Sequence, residues 1–362
     1  MTRAPHTEAP NLYGLDREGL GTLLESLGGR PYDGGQVYRW LYARRRLDPM
    51  AWTDLPRTLR ERLASETQVD RGAIAARTSA RDGTVKYRID LPRGGSVETV
   101  YMLDRRRITL CLSSQVGCAL DCDFCLTAKM GFVRHLDPGE IAGQVALVQE
   151  DRSLADQRFN VVFMGMGEPL HNYDGVVAAI RLLADPDGVG LSRTRITVST
   201  AGLVPGIERL AREKVRPRLA VSLNATTDDL RSRLMPVNRR YPLPRLLESL
   251  RAFSESTRER FTFEHVLLDG VNDSEAEIRR LGKIVRSLPA KLNLIPFNPV
   301  PGWLPYRAPS RAKVIGIRDR LLADGVPVSV RFSHGAEARA ACGQLALLPE
   351  EARGPDAVQM HP

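Results

Sequence analysis

Apolar positions in the first 66 residues recur three and four apart. Leu20, Leu23, Leu24 and Leu27, then Val37, Leu41 and Leu55 with Trp40 and Trp52, trace the inner faces of successive helices. Pro31, Gly34, Gly35, Pro49 and Pro56 cut that pattern into short pieces. Between residues 70 and 107 the spacing drops to two. Segments 85–91 and 97–102 alternate apolar with polar side chains, Asp82 and Gly83 precede them and Gly94 and Gly95 separate them, which predicts β-hairpins. From Ile108 a third pattern takes over. Short strand-like runs at 108–113, 160–164, 195–199, 218–223, 262–267 and 291–296 alternate with amphipathic stretches at 139–149, 173–183, 243–254 and 275–287. Segment 328–332 offers a further strand behind Pro327. Strands alternating with helices predict a parallel sheet, in an α/β barrel or open α/β fold, with chemistry at the carboxyl ends of the strands.

The chain therefore divides into a helical domain over 1–70, a β-hairpin connector over 71–107, an α/β domain over 108–346 and a flexible tail over 347–362. Residues 1–10 are polar and expected to be disordered. A length of 362 residues suffices for one large and one small domain, and 43% hydrophobic with 26% charged residues is ordinary for a globular protein. No apolar run approaches a membrane span, and the first 15 residues lack the apolar core of a signal peptide. A cytoplasmic, monomeric protein without a membrane partner is expected.

Charge adds a partner. The net charge of +9 points to an anion, with nucleic acid first, and residues 1–107 hold 19 Lys and Arg against 14 Asp and Glu. A solvated arginine-rich surface explains the charge equally well. Arg39, Arg44, Arg45 and Arg46 surround Tyr38, Trp40 and Tyr42. This interleaving suits an RNA grip, and the same aromatics suit the small domain's core.

The chemistry lies in the cysteines. Five are present, and their odd number and tight clustering argue against a secreted disulfide framework. Cys118, Cys122 and Cys125 are spaced C-x3-C-x2-C, with Phe124 before the third. Three thiolates on one short loop can bind three irons of a [4Fe–4S] cluster and leave the fourth open to chelate a small molecule. A structural zinc completed by His135 is the competing metal reading, but no second C-x2-C pair accompanies it. The spacing resembles the radical S-adenosylmethionine (SAM) signature. The second strand of the α/β pattern then ends in Gly165-Met-Gly-Glu-Pro169, where Gly167 lets a ligand approach and Glu168 can accept from an ammonium group. The next two end in Ser199-Thr-Ala-Gly202 and Ser222-Leu-Asn224, which place small polar groups at the same mouth. Cys111 lies on the strand before the cysteine loop, and Cys342 reads either as a buried small hydrophobe or as a nucleophile.

Taken in order, Cys111-Leu-Ser-Ser-Gln-Val-Gly-Cys118, Gly165-Met-Gly-Glu-Pro169, Leu294-Ile-Pro-Phe-Asn-Pro299 and Ala340-Ala-Cys-Gly-Gln-Leu345 resemble the RlmN/Cfr family of radical SAM enzymes that methylate adenosine in RNA. The likeness runs from about residue 11 to 346. It implies a (β/α)6-type partial barrel, a [4Fe–4S] cluster on Cys118, Cys122 and Cys125, and SAM held by Gly167, Glu168, Ser199, Ser222, Leu223, Asn224 and Asn298. It also implies a relay, because the electron-poor C2 of adenine cannot attack the methyl group of SAM. Cys342 takes a methyl from one SAM by displacement. Reductive cleavage of a second SAM gives a 5′-deoxyadenosyl radical that removes hydrogen from the S-methyl group, and the carbon radical adds to the base. Cys111 then attacks the sulfur of Cys342 and releases product through a disulfide. Glu98 falls on the family's proposed base. The implied substrate is 23S rRNA, with tRNA as a candidate second one, and the implied electron donor is flavodoxin or ferredoxin. Methylation at C8 by the same machinery is the alternative within the family, and a zinc-stabilised RNA-binding protein the alternative outside it. Two stretches depart from the family's usual pattern: Asn224, where His is usual, and 334–339, where Arg-Gly followed by Asp-Ile is usual.

Overall fold

The computed structural model describes residues 9–154 and 157–347; residues 1–8 and 348–362, which hold most of the segments expected to be disordered, lie outside the described residues. Helix α1 (Arg17–Ser26) begins where the Asp16 carboxylate accepts from the Gly19 amide. Helix α2 (Asp33–Tyr38) runs into a wider π-helical turn at Arg39–Ala43, and α3 (Arg57–Glu66) starts behind Pro56. Trp52, Tyr38 and Tyr42 are buried among their leucines. The aromatics are thus core, and only Trp40 stays half-exposed, with the Arg44 guanidinium 4.0 Å above its ring.

Strands β1 (Ala73–Ser79), β2 (Val85–Asp90), β3 (Ser96–Asp104) and β4 (Arg107–Cys111) form an antiparallel meander. The cysteine segment follows, with a two-stranded hairpin, β5 (Gln115–Gly117) and β6 (Phe132–His135), around the short helix α4 (Leu126–Lys129). Then α5 (Pro138–Asp151), opened by a capping box between Asp137 and Glu140, leads to β7 (Phe159–Phe163) and α6 (Tyr173–Ala184). The alternation continues through β8 (Ile196–Thr200), α7 (Val204–Leu210), β9 (Arg218–Ser222), α8 (Asp228–Leu234), α9 (Leu243–Thr257), β10 (Phe261–Leu267), α10 (Glu275–Arg286), β11 (Ala290–Pro296), α11 (Arg311–Ala323) and β12 (Val328–Val330).

One ten-stranded sheet results, in the order β1-β2-β3-β4-β7-β8-β9-β10-β11-β12. From β4 onward every pairing is parallel, which makes seven parallel strands, the last being the segment behind Pro327. The hairpin segment continues the barrel sheet. Its strands hydrogen-bond directly into the barrel sheet through β3 and β4. The fully buried Gln144 on α5 ties these strands down, exchanging hydrogen bonds with the backbone of Ser113 and meeting the Thr99 hydroxyl at 2.7 Å.

The N-terminal helices share this core rather than standing off from it. Leu20, Tyr38 and Trp52 belong to the same apolar cluster as Val145, Ile180 and Leu294. Tyr38 donates to the Leu182 carbonyl, and Arg17 pairs with Asp185 and Asp187 beyond α6. Gly139 on α5 lies so close to the chain at Tyr13 that an added Cβ would meet the Tyr13 carbonyl oxygen at 2.3 Å.

Candidate active site at the two ends of the barrel

The cysteine loop leaves β4 at its carboxyl end, as the parallel topology requires. Cys118 follows β5 and is fixed by its amide bonding to the Gly131 carbonyl at 2.9 Å. Cys125 caps α4, and Cys122 lies between them. All five cysteines are free thiols. Burial raises the pKa of each of the three loop thiols above the ordinary range, Cys118 to about 12, and neighbouring thiols add to the effect, loop cysteines at Cys118 and Cys122 and Cys342 at Cys125. Such thiols become good ligands only when a metal's charge offsets their desolvation. Among the described residues no three Cys, His, Asp or Glu side chains converge as the ligands of a single ion would. His135, the would-be fourth zinc ligand, instead faces Gln115, whose amide nitrogen lies 3.0 Å from its Nδ1, and His171.

Most of the positions that the sequence resemblance assigns to SAM gather at the neighbouring strand ends. Gly167 has φ +99°, and a Cβ there would lie 2.5 Å from that of Gln115, so only glycine lets the chain turn here. Glu168 is buried, accepting from the amides of Leu170 (3.0 Å) and Ala201 (2.8 Å), and burial raises its pKa to about 7 despite these bonds. Ser199 and Ser222 are half-buried on β8 and β9, and Leu223 is fully buried. Asn224 takes φ +57°, and its side-chain oxygen accepts from the Val266 amide at 2.8 Å, so this amide group stitches β9 to β10. Asn298 donates to the Cys342 carbonyl at 3.0 Å.

Two distant thiols also meet. Cys111 and Cys342 line one small pocket with Met102, Met164, Arg331, Ser333 and His334. Burial, then the nearby Cys342, push the Cys111 thiol up to about 12. The segment that carries Cys342 is strapped down by the antiparallel strands. The Glu98 carboxylate accepts from the Ala346 amide (2.9 Å) and pairs with Lys86 (2.9 Å), which also reaches the Arg339 carbonyl. Asp82 accepts from the Gly335 amide at 2.8 Å and pairs with His334 at 3.3 Å, so the departing stretch 334–339 has its own anchors.

A large cavity, about 1430 Å³, opens at the opposite end, where the strands begin. Arg107, Arg158, Arg195, Arg218, Arg260 and Lys291 stand within one residue of the starts of six parallel strands around it. Deeper in, Met102, Met164, Arg331 and His334 line both this cavity and the pocket of Cys111 and Cys342. A basic funnel thus leads from the strand starts to the thiol pair.

The chain is 45% identical over 347 residues to the dual-specificity RNA methyltransferase RlmN of Anaeromyxobacter dehalogenans, an alignment covering 94% of this chain and 93% of that protein. The chain belongs to the RlmN family. A probable RlmN of Moorella thermoacetica is 44% identical, covering 94% of this chain and 98% of its own. The crystal structure of a radical SAM methyltransferase from Sphaerobacter thermophilus superposes with a TM-score of 0.88 at 42% identity, covering 93% of this chain and 99% of that one. The Radical SAM superfamily matches residues 112–282, and the Ribosomal RNA large subunit methyltransferase N-terminal domain matches residues 10–69. Radical SAM membership carries a [4Fe–4S] cluster and SAM as cofactors. The donor set fits: three soft thiols on one loop, and beside Cys122 the buried cation of Arg231.

Sequence reasoning overlooked the residues that surround the two thiols. Arg331, within electrostatic reach of Cys111, Cys342 and Glu264, belongs to no motif. Neither does Lys86, the strap's anchor. The arginines at the strand starts left a signal in the sequence, because a basic residue opens nearly every parallel strand.

Replacing Cys118, Cys122 or Cys125 with alanine should remove the iron from anaerobically reconstituted protein, where the wild type holds about four irons per chain. Cys111→Ala and Cys342→Ala should keep it. Iron lost from the Cys342 variant would make Cys342 a ligand and exclude it from carrying a methyl group.

Proposed function

We propose that this chain methylates C2 of an adenosine in 23S rRNA, with tRNA as a second substrate, through an S-methyl group on Cys342. The observation that carries the reading is the basic cavity, which joins the barrel's open end to the wall shared by Cys111 and Cys342. RNA phosphates dock on the arginines at the strand starts, and one adenine passes inward. Residues 1–70 serve as an accessory RNA-binding domain braced against α5 and α6.

Cys118, Cys122 and Cys125 hold the cluster, while Gly167, Glu168, Ser199, Ser222, Leu223, Asn224 and Asn298 form the cradle for SAM. When bound, the cluster supplies the electron that cleaves SAM to a 5′-deoxyadenosyl radical. The protein's own steps begin with the Cys342 thiolate, which displaces the methyl group of one SAM and releases the thioether. Cys111, kept protonated by burial, does not compete for that methyl. Once the 5′-deoxyadenosyl radical has taken one hydrogen atom from the S-methyl group and the methylene radical so formed has added to C2, the adduct returns one electron to the donor system and Glu98 accepts the proton lost from C2. The Cys111 thiolate then attacks the sulfur of Cys342, the S–C bond breaks with its electron pair passing to the methylene carbon, which takes up a proton to become the methyl group, and the disulfide that forms is reduced by two electrons from the same donor before the next turnover. Arg331 lies within electrostatic reach of both thiols, and its charge partly offsets the burial that holds Cys111 protonated. Flavodoxin or ferredoxin supplies the electron, and the enzyme works as a cytoplasmic monomer. No described helix is long and apolar enough to cross a membrane.

Mass spectrometry of nucleosides from a deletion strain and its complemented counterpart tests the reading. The expected result is 2-methyladenosine lost from 23S rRNA and tRNA on deletion and restored by the gene. Appearance of 8-methyladenosine instead would assign the chain to the alternative target atom.

A further inference from the structure

Arg231 carries a charge that the protein alone does not neutralise. Its side chain, on α8, is fully buried. The guanidinium donates to Ala201 O (2.6 Å), Ser222 O (3.0 Å), Leu223 O (3.1 Å) and Asn238 Oδ1 (3.0 Å). All four acceptors are neutral amide oxygens. Among the described residues no carboxylate lies within ion-pair distance of it. Asp228 is within electrostatic reach, but its Oδ1 is spent on Asn238 Nδ2 (2.9 Å) and the Leu243 amide (2.7 Å).

Burying an unpaired ion costs several kcal/mol, and burial pulls the pKa of Arg231 down from 12.5 to about 10. A fold that keeps such a cation sets it beside an anion. The neighbour is the cysteine loop. Cys122 lies within electrostatic reach of Arg231, and the end of α8 is bonded to that loop through the Asp123 amide, which donates to the Leu234 carbonyl at 2.9 Å. Three of the four oxygens lie on the strand ends and the turn that carry Ala201, Ser222 and Leu223, so the guanidinium is also clamped in place relative to the proposed SAM cradle.

We propose that Arg231 is the fixed counter-charge of the iron–sulfur cluster and raises its reduction potential. The inference rests on Cys118, Cys122 and Cys125 being the cluster ligands. A cluster held by three thiolates is anionic and gains a further negative charge on accepting an electron, so a nearby buried cation stabilises the reduced form more than the oxidised one. Glu168, also within reach of Cys122, works in the opposite direction when ionised, and among the described residues Arg231 is the cation that offsets it at Cys122. Arg231 is thus a positioning residue that acts through the cluster rather than on the substrate.

The test is a redox titration followed by electron paramagnetic resonance on cluster-loaded protein, without SAM or RNA, with iron counted in every sample. Arg231→Lys retains the charge, Arg231→Gln removes it, and Asn238→Asp leaves the guanidinium but gives it a carboxylate partner. The lysine variant should titrate like the wild type. The Gln and Asp variants should show about a tenfold smaller ratio of reduced to oxidised cluster at the same applied potential, which for one electron is about 59 mV. Asn238→Asp keeps the test open if Arg231→Gln fails to fold. Equal potentials in all four proteins at full iron content would overturn the inference. So would a shift that appears only once SAM is added, since Arg231 would then be pairing with the ligand's carboxylate. Iron missing from the wild type itself would instead sink the cluster assignment, and this inference with it.

Discussion

Cys342→Ala should abolish RNA methylation and leave the protein free of bound RNA, whereas Cys111→Ala should abolish turnover yet trap RNA covalently. The asymmetry follows from what each thiol is asked to do. Without Cys342 no sulfur can load the methyl group, so nothing reaches the base. Without Cys111 the methyl group loads and joins the adenine, and the S–C bond then has no thiolate to break it. RNA should therefore copurify with the Cys111 variant through denaturant, and nuclease should trim it to a residual nucleotide that mass spectrometry finds on the Cys342 peptide. The shared pocket of the two thiols is the structural ground, since disulfide formation requires both sulfurs to meet. The strap makes the test demanding. Glu98, Lys86, Asp82 and Asn298 all hold backbone atoms between residues 335 and 346, so Cys342 must deliver its methyl group from a tethered segment. A Cys111 variant free of RNA beside an active wild type would show that another group resolves the adduct. A wild type in which Cys342 never carries a methyl group would remove the relay altogether.

Much of this arrangement is legible in the sequence because period and spacing are local properties. The seven parallel strands lie at the alternating apolar runs, and the C-x3-C-x2-C spacing puts three thiols on one loop whatever surrounds it. The hairpin segment is harder to place, since alternation at 85–91 and 97–102 predicts strands but not their partners. Only the pairing of β3 with β4 shows that they extend the barrel and brace Cys342 through Lys86 and Glu98. Tyr38 and Tyr42, flanked by arginines, fit either RNA or a core; their burial against α6 decides for the core, a tertiary outcome that no local pattern encodes. Charge is misplaced for a similar reason. Arg105, Arg106 and Arg107 count towards the basic excess before residue 108, yet the β3–β4 turn delivers them to the rim of the barrel cavity. Arg231 is illegible, because a buried cation is conspicuous only once its lack of a carboxylate partner is visible.

That misplaced charge gives the second large effect. Replacing Arg107, Arg158 and Arg218 with glutamine should weaken RNA binding by orders of magnitude at moderate salt. These side chains are exposed at the rim and make no ion pair among the described residues, so their loss should cost little stability. Each phosphate that an arginine neutralises releases counterions. The plot of log affinity against log salt should therefore flatten by roughly 1 for each arginine removed, and the triple variant should approach a change of about 3. Slow SAM cleavage without RNA should continue, because the proposed cluster loop and SAM cradle lie at the other end of the strands. The counterpart variant, Arg45→Gln with Arg46→Gln, removes charge from the N-terminal helical unit and should change the slope less. Deleting that unit outright is a poorer test, since Leu20, Tyr38 and Trp52 share the barrel's core and their loss would expose it. If the rim variant binds RNA with an unaltered slope while the N-terminal variant loses affinity, the helical unit is the grip, and the adenine must reach Cys342 by another route than the basic funnel.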